Sequence, residues 1–212
     1  MKLRAIAASL LFALPGVSQA TDPTPWLFEI KGGIYEPDLP MYETFYGDDR
    51  NGYFAGAFGY QFRRWLELGG EVGYARDTGV GLQPGNNQLG GTVKYTLVPA
   101  HVFVNLVGKK THDQLFVPYA GAGLSMAYYK QEVDGQSTRD GRTDLGYNAR
   151  AGLQLLLNRL DKRTARRVSP DGGFQSYLFV EAQWFTAEVD DIDLGGIIYL
   201  LGLRVEWGPG TG

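Results

Sequence analysis

Phe54-Ala55-Gly56-Ala57-Phe58-Gly59-Tyr60-Gln61-Phe62, then Arg63-Arg64-Trp65, then Leu66-Glu67-Leu68-Gly69-Gly70-Glu71-Val72-Gly73-Tyr74, is the stretch that decides the fold. In its first half Phe54, Phe58, Tyr60 and Phe62 alternate with Ala55, Ala57, Gly59 and Gln61. In its second half Leu66, Leu68, Val72 and Tyr74 alternate with Glu67, Gly69, Glu71 and Gly73. Successive residues of a strand point to opposite faces, so each half is a strand with one apolar and one polar side. Arg63-Arg64 is a tight connection, and the whole reads as a hairpin.

The same code recurs on both sides of the hairpin. Trp26, Phe28, Ile30 and Ile34 oppose Glu29, Lys31 and Gly33. Val93, Tyr95 and Leu97 oppose Lys94 and Thr96; beyond Pro99 the parity flips, so that Val102, Val104 and Leu106 are apolar and His101 and Asn105 polar. Proline cannot donate to a ladder, and a bulge beside it would shift the register by one. Leu115 to about Tyr129, Tyr147 to Leu157, Tyr177 to Trp184 and Tyr199 to Trp207 complete the set. The expectation is an all-β fold, an eight-stranded antiparallel up-and-down barrel. An even strand number closes such a meander with both termini at one end. Residues 37–52, 77–91, 131–145 and 188–195 are polar and rich in Gly and Asp, and are expected as long loops at the other end. Arg63-Arg64 and Val107–Gln114 are expected as short turns, and Leu160–Arg167, inside the long connector 158–173, as one or two helical turns.

Composition narrows the class. Glycine at 30 residues and aromatics at 13% suit a barrel more than a soluble domain. The absence of cysteine excludes a disulfide scaffold, thiol catalysis and cysteine metal sites. The front of the chain has Lys2 and Arg4, an apolar run from Ala5 to Leu14, and Ser18-Gln19-Ala20. That is a secretory signal peptide over residues 1–20, with a mature domain over 21–212 starting at Thr21. Loss of Lys2 and Arg4 takes the formal net charge from −3 to about −5, which argues against nucleic acid as a partner.

Which face looks outward separates two classes. A soluble calycin-like barrel fills its interior with the apolar face; a transmembrane barrel turns that face to lipid. Aromatics near strand ends (Trp26, Tyr60, Phe62, Tyr128, Tyr147, Trp184, Tyr199, Trp207) fit interfacial girdles. The opposite faces mix glycine with Glu29, Lys31, Glu67, Glu71, Lys94, Arg150, Glu181, Arg204 and Glu206, which suits a narrow lumen crossed by ion pairs. The expectation is therefore a transmembrane barrel of the outer membrane, with Glu29, Lys31, Glu67, Glu71, Lys94, Arg150, Glu181 and Arg204 as the lumen charge network.

The last strand ends Gly202-Leu203-Arg204-Val205-Glu206-Trp207. It looks like the C-terminal assembly signal of outer-membrane barrels, with Gly202, Leu203, Val205 and Trp207 as its residues; Gly208–Gly212 follow the aromatic where usually nothing does. Val117-Pro118-Tyr119 to Gly146-Tyr147, Leu155-Leu156-Leu157-Asn158 to Leu160-Asp161, and Tyr177-Leu178-Phe179-Val180-Glu181 follow one another. With Glu29-Ile30-Lys31-Gly32 and Phe58-Gly59-Tyr60-Gln61-Phe62, they resemble a family of outer-membrane β-barrel proteins known from myxobacteria and relatives. The resemblance covers most of the mature chain. It implies fold and location, and transfers no catalytic residues.

Chemistry-bearing residues are few. A serine acylhydrolase needs a histidine base beside its nucleophile. His112 falls in a short turn, and His101 on a polar strand face, where the plain reading is a hydrogen-bonding lumen residue. Glu188, Asp190, Asp191 and Asp193 crowd one loop, a solvated acidic loop or a weak calcium or magnesium contact. Arg159, Lys162, Arg163, Arg166 and Arg167 make the connector 158–173 basic, a solvated turn or a contact for anionic headgroups. No catalytic, cofactor or metal site is expected. The functional expectation is a monomeric structural or surface-interaction barrel, with outer-membrane lipids, lipopolysaccharide and the barrel-assembly machinery as partners. Two rivals stand beside it: a narrow ion-leaky channel and a lipid A-modifying barrel enzyme.

Overall fold

The computed structural model describes residues 26–38, 50–82, 89–111, 113–133, 138–160, 174–190 and 192–208. The expected signal peptide and Thr21 start, His112, Asp191, Lys162, Arg163, Arg166, Arg167 and the tail after Gly208 lie outside them. Among the described residues eleven strands follow in chain order. They are β1 (Trp26–Pro37), β2 (Asn51–Arg63), β3 (Leu66–Leu82), β4 (Leu89–Val107), β5 (Phe116–Val133), β6 (Arg139–Arg142), β7 (Gly146–Leu156), β8 (Phe174–Phe185), β9 (Glu188–Val189), β10 (Ile192–Asp193) and β11 (Gly196–Trp207). Eight of them close a barrel. Each of β1 to β5 pairs antiparallel with the next, β5 with β7, β7 with β8, β8 with β11, and β11 returns to β1. The closing seam runs from Trp26↔Trp207 to Pro37↔Gly196 without a shift. β6 prolongs the edge of β5, and β9 and β10 form a small separate hairpin.

The apolar face points out. Phe54 is 70% exposed, Val102 59% and Leu201 56%, whereas Arg204 is 0% exposed. This is the reverse of a water-soluble barrel, and it rejects the calycin-like alternative. At one end, here the turn end, lie both ends of the barrel chain, the Arg64-Trp65 turn and an outward aromatic belt of Trp26, Phe58, Tyr60, Phe62 and Trp207. Trp26 stacks on Phe58 at 5.4 Å and meets Tyr60 edge-on at 4.8 Å. The other end, the loop end, carries Tyr74, Tyr128, Tyr147, Trp184 and Tyr199 on its outward face.

Two expectations are corrected. The parity flip at Pro99 is not a register shift. β4 pairs with β5 in one unbroken register from Val93↔Val133 to Val107↔Tyr119, and Val93, Tyr95, Leu97, Pro99, His101, Phe103 and Asn105 are all buried. Lys94 is therefore exposed on the outward face and is no part of the lumen. The strands also run into the expected loop 77–91, since pairing continues through Asp77↔Tyr95 to Leu82↔Leu89. Both corrections have one cause. The ladder outlasts the apolar band, and past it the code inverts: apolar residues go inside and charges out, as in any barrel standing in water.

Inside, glycines on the lumen face make room for rings. The Phe103, Tyr53, Tyr119 and Phe179 rings lie over Gly69, Gly73, Gly152 and Gly202, so close that a Cβ on any of these glycines would clash. Eight strands leave an interior that side chains fill, and here the aromatics do much of it.

Candidate functional site

Apolar and charged side chains share the lumen. At the loop end Tyr35, Tyr53, Tyr95, Leu97, Phe185, Leu194, Ile198 and Leu200 form an apolar plug. The Tyr35 hydroxyl donates to the Leu194 carbonyl at 2.5 Å and ties the connection before β11 to β1. At the turn end Val107, Val117, Tyr119, Leu156 and Tyr177 form a smaller apolar cluster. The charge network runs from below the plug to Lys109 and Glu206 at the turn end, where Lys109 Nζ lies 5.4 Å from the centre of the Tyr177 ring.

Two hubs organise the network. Lys31 on β1 lies 2.6 Å from Glu71 Oε2 and 2.7 Å from Glu181 Oε1, with Glu29 Oε2 at 3.7 Å. Arg150 on β7 donates to Glu71 Oε2 at 2.8 Å, and its guanidinium lies 3.8 Å from the centre of the Phe103 ring. The Tyr119 hydroxyl donates to Glu181 Oε2 at 2.7 Å. Gln183 links this hub to His101. With its amide nitrogen turned to Glu71 Oε1 at 3.1 Å, its oxygen accepts from His101 Nε2 at 3.2 Å and from Arg150 Nη2 at 3.1 Å. The second hub is Arg204 on β11. It donates to Glu29 Oε1 at 3.2 Å and to Glu206 Oε1 at 2.9 Å, and engages both oxygens of Glu67. Glu29 and Glu206 each join the hub to a lysine: Glu29 to Lys31, and Glu206 to Lys109, whose Nζ lies 2.8 Å from Glu206 Oε2 and 2.9 Å from Gln175 Oε1.

Glu29, Lys31, Glu67, Glu71, Arg150, Glu181 and Arg204 are thus brought together, and Lys94 is not. Sequence reasoning missed Lys109. It lies past the end of β4, where alternation says nothing, although the inward position of Glu206 asked for a cation nearby. Among the described residues five carboxylates and four cations share the interior. A buried charge is tolerable only when paired and hydrogen-bonded, and these are. The arrangement locks staves to one another across the lumen. Ser125 lies opposite His101 in the β4–β5 ladder, but both are buried in the lumen, away from the outward face, and the Ser125 hydroxyl donates to the Tyr147 and Thr186 carbonyls at 3.1 and 2.7 Å.

The remaining candidates have structural roles. Asp193 Oδ1 accepts from the Ala187 and Gly195 amides at 2.8 Å each and shapes the β9–β10 hairpin. Among the described residues no cluster of three or more His, Cys, Asp or Glu stands ready for a metal. Arg159 donates to the Asp113 carbonyl at 3.1 Å, joining two turn-end connectors. A 3-10 turn, Leu157–Arg159, precedes the expected helical stretch, which lies outside the described residues beyond Leu160. Gly202, Leu203, Val205 and Trp207 sit on β11 in the closing seam; Gly202 faces inward under Phe179, and Leu203 and Trp207 face out.

An apolar exterior, two aromatic belts and a filled polar lumen define the small outer-membrane β-barrels. The comparison with solved structures agrees. The chain is similar to Neisserial surface protein A, with a TM-score of 0.56 at 14% identity over 86% of this chain and 97% of that one. It is likewise similar to the outer membrane protein OprG from Pseudomonas aeruginosa, with a TM-score of 0.56 at 13% identity over 87% and 97%. At such identities the likeness is one of fold. No protein-family model matches the sequence, and no curated protein matches it.

Proposed function

We propose that the chain is an integral outer-membrane protein with a structural and surface-interaction role, exported by a cleaved signal peptide and inserted with its turn end in the periplasm. The observation that carries this reading is the ion-paired lumen inside an apolar exterior. An apolar cluster fills the lumen at the loop end, and ion pairs cross-link the staves below it. Such an interior serves stability, and leaves interaction to the outer surface and the loops. The orientation follows from connector length, since outer-membrane barrels keep short turns inside and long loops outside. The reading includes no catalytic step, because the buried position of His101 keeps the imidazole from lipid on the outward face. The resemblance to the myxobacterial barrel family fits it and adds no activity.

The test has two arms. The outer-membrane fraction should hold a species that migrates faster unheated than boiled, and the purified barrel should give no unitary conductance in planar bilayers. Migration that heating leaves unchanged would overturn the fold-based reading. Discrete conductance steps would favour the channel instead.

A further inference from the structure

Beyond the loop-end aromatic belt, β3, β4 and β5 turn cations outward. Arg76, two residues after Tyr74 and on the same face, stands about 7 Å further along β3. The ladder sets Arg76 opposite Thr96, Thr96 opposite Lys130, and Lys94 opposite Thr78 on one side and Glu132 on the other. Arg76 and Lys94 are exposed, and neither lies within ion-pair distance of a carboxylate among the described residues. Lys130 pairs with Glu132 at 2.5 Å, and that carboxylate is also within electrostatic reach of Lys94 and Arg76. Three cations around one anion leave the patch positive. On its outward face β6 adds Arg142, which opposes Tyr128, and Asp140, which opposes Lys130 and accepts from the Tyr128 hydroxyl at 3.1 Å, so the patch as a whole stays positive.

Directly below, within the apolar band, lies an open groove of about 470 Å³ walled by Ile30, Phe54, Val72, Tyr74 and Val98, with Gly56 on its floor. A Cβ on Gly56 would meet nothing nearer than the Glu29 carbonyl at 3.8 Å, so the floor is open because the side chain is missing. In a bilayer only hydrocarbon fills such a groove. A ligand that spans both features has an acyl chain and, one belt higher, an anionic headgroup. Charge-assisted hydrogen bonds from Arg and Lys suit a phosphate there.

We propose that this surface binds a phosphorylated, acylated glycolipid of the outer leaflet, the lipid A class, with Arg76, Lys94 and Lys130 on its phosphate and the Gly56 groove on an acyl chain. The proposal rests on the outer-membrane reading and names the lipid contact it left open.

The test uses the full mature barrel refolded in detergent, each variant first shown folded by its unheated gel migration. The probes are bis-phosphorylated hexa-acyl lipid A, the same lipid without phosphates, and the phosphorylated sugar headgroup without acyl chains. Binding is read by native mass spectrometry. R76Q/K94Q should weaken phosphorylated lipid A at least tenfold and leave the phosphate-free lipid unchanged. Gly56→Leu should weaken both lipids and leave the headgroup alone unaffected. Arg63→Gln, at the turn end, should change nothing. Wild-type affinity in R76Q/K94Q, or headgroup binding as tight as that of the whole lipid, would overturn the proposal; the second result would point to a soluble anionic partner instead. A folded barrel that ignores lipid A sinks this proposal alone, whereas failure to form any heat-modifiable barrel sinks the outer-membrane reading beneath it.

Discussion

Arg204 shows what a single side chain does in this lumen. It is fully buried and holds Glu29, Glu67 and Glu206, which come from β1, β3 and its own strand. Taking away the cation leaves three carboxylates facing one another in a space that water barely enters. Breaking a buried pair by removing one partner costs about 3–5 kcal/mol, mostly as the uncompensated charge left behind. Arg204→Met should destabilise the folded barrel by that amount, read from urea unfolding in lipid vesicles by tryptophan fluorescence. Adding Glu67→Gln should recover part of the loss, since it removes one stranded charge. If Arg204→Met unfolds at the wild-type midpoint, the network does not lock the barrel.

At the scale of the element, β4 explains how far alternation carries. β1, the β2–β3 hairpin and β11 are legible because apolar and polar residues alternate across the band in one phase: Phe28 and Ile30 are exposed while Glu29 and Lys31 are buried. On β4 the phase changes at Pro99 although the pairing does not. Chain pattern alone cannot separate a shifted register from a change of medium, because both move apolar residues to the other parity. For that reason Lys94 stands on the outward face rather than in the lumen, and Tyr95 and Leu97 point into the plug rather than outward. The charge layer was legible wherever the band holds, and Lys109 was not, because no strand periodicity reaches it. The apolar outward run of β4, Val98 to Leu106, is about nine residues, the length a tilted strand needs to cross hydrocarbon. An Arg at Val102 should cost roughly 2–4 kcal/mol and an Arg at Thr96 only about 0–1. Folding equilibria in vesicles measure both. Equal penalties would show that Thr96 and Val102 meet the same medium, and the inversion would fail.

For the molecule as a whole, everything depends on closing β1 onto β11. An open edge in lipid leaves backbone groups unsatisfied at several kcal/mol each, so the partly built barrel has no stable form to rest in. The seam starts at Trp26↔Trp207, and Trp207 adds contacts on both sides: it lies opposite Phe174 on β8, and its ring is 6.2 Å from that of Phe58 on β2. It is also the aromatic that ends the alternation of Leu203 and Val205. Trp207→Ala should therefore reduce the folded fraction in the outer membrane, by weakening both the terminal signal and the first contact of the seam. Gly208–Gly212 contain Pro209 and three glycines, which extend a ladder poorly, so removing them should leave assembly near the wild-type level. The folded fraction on an unheated gel measures both variants. If the tail deletion abolishes assembly while Trp207→Ala assembles normally, closure is set beyond the strand, and the terminal signal has been assigned to the wrong residues.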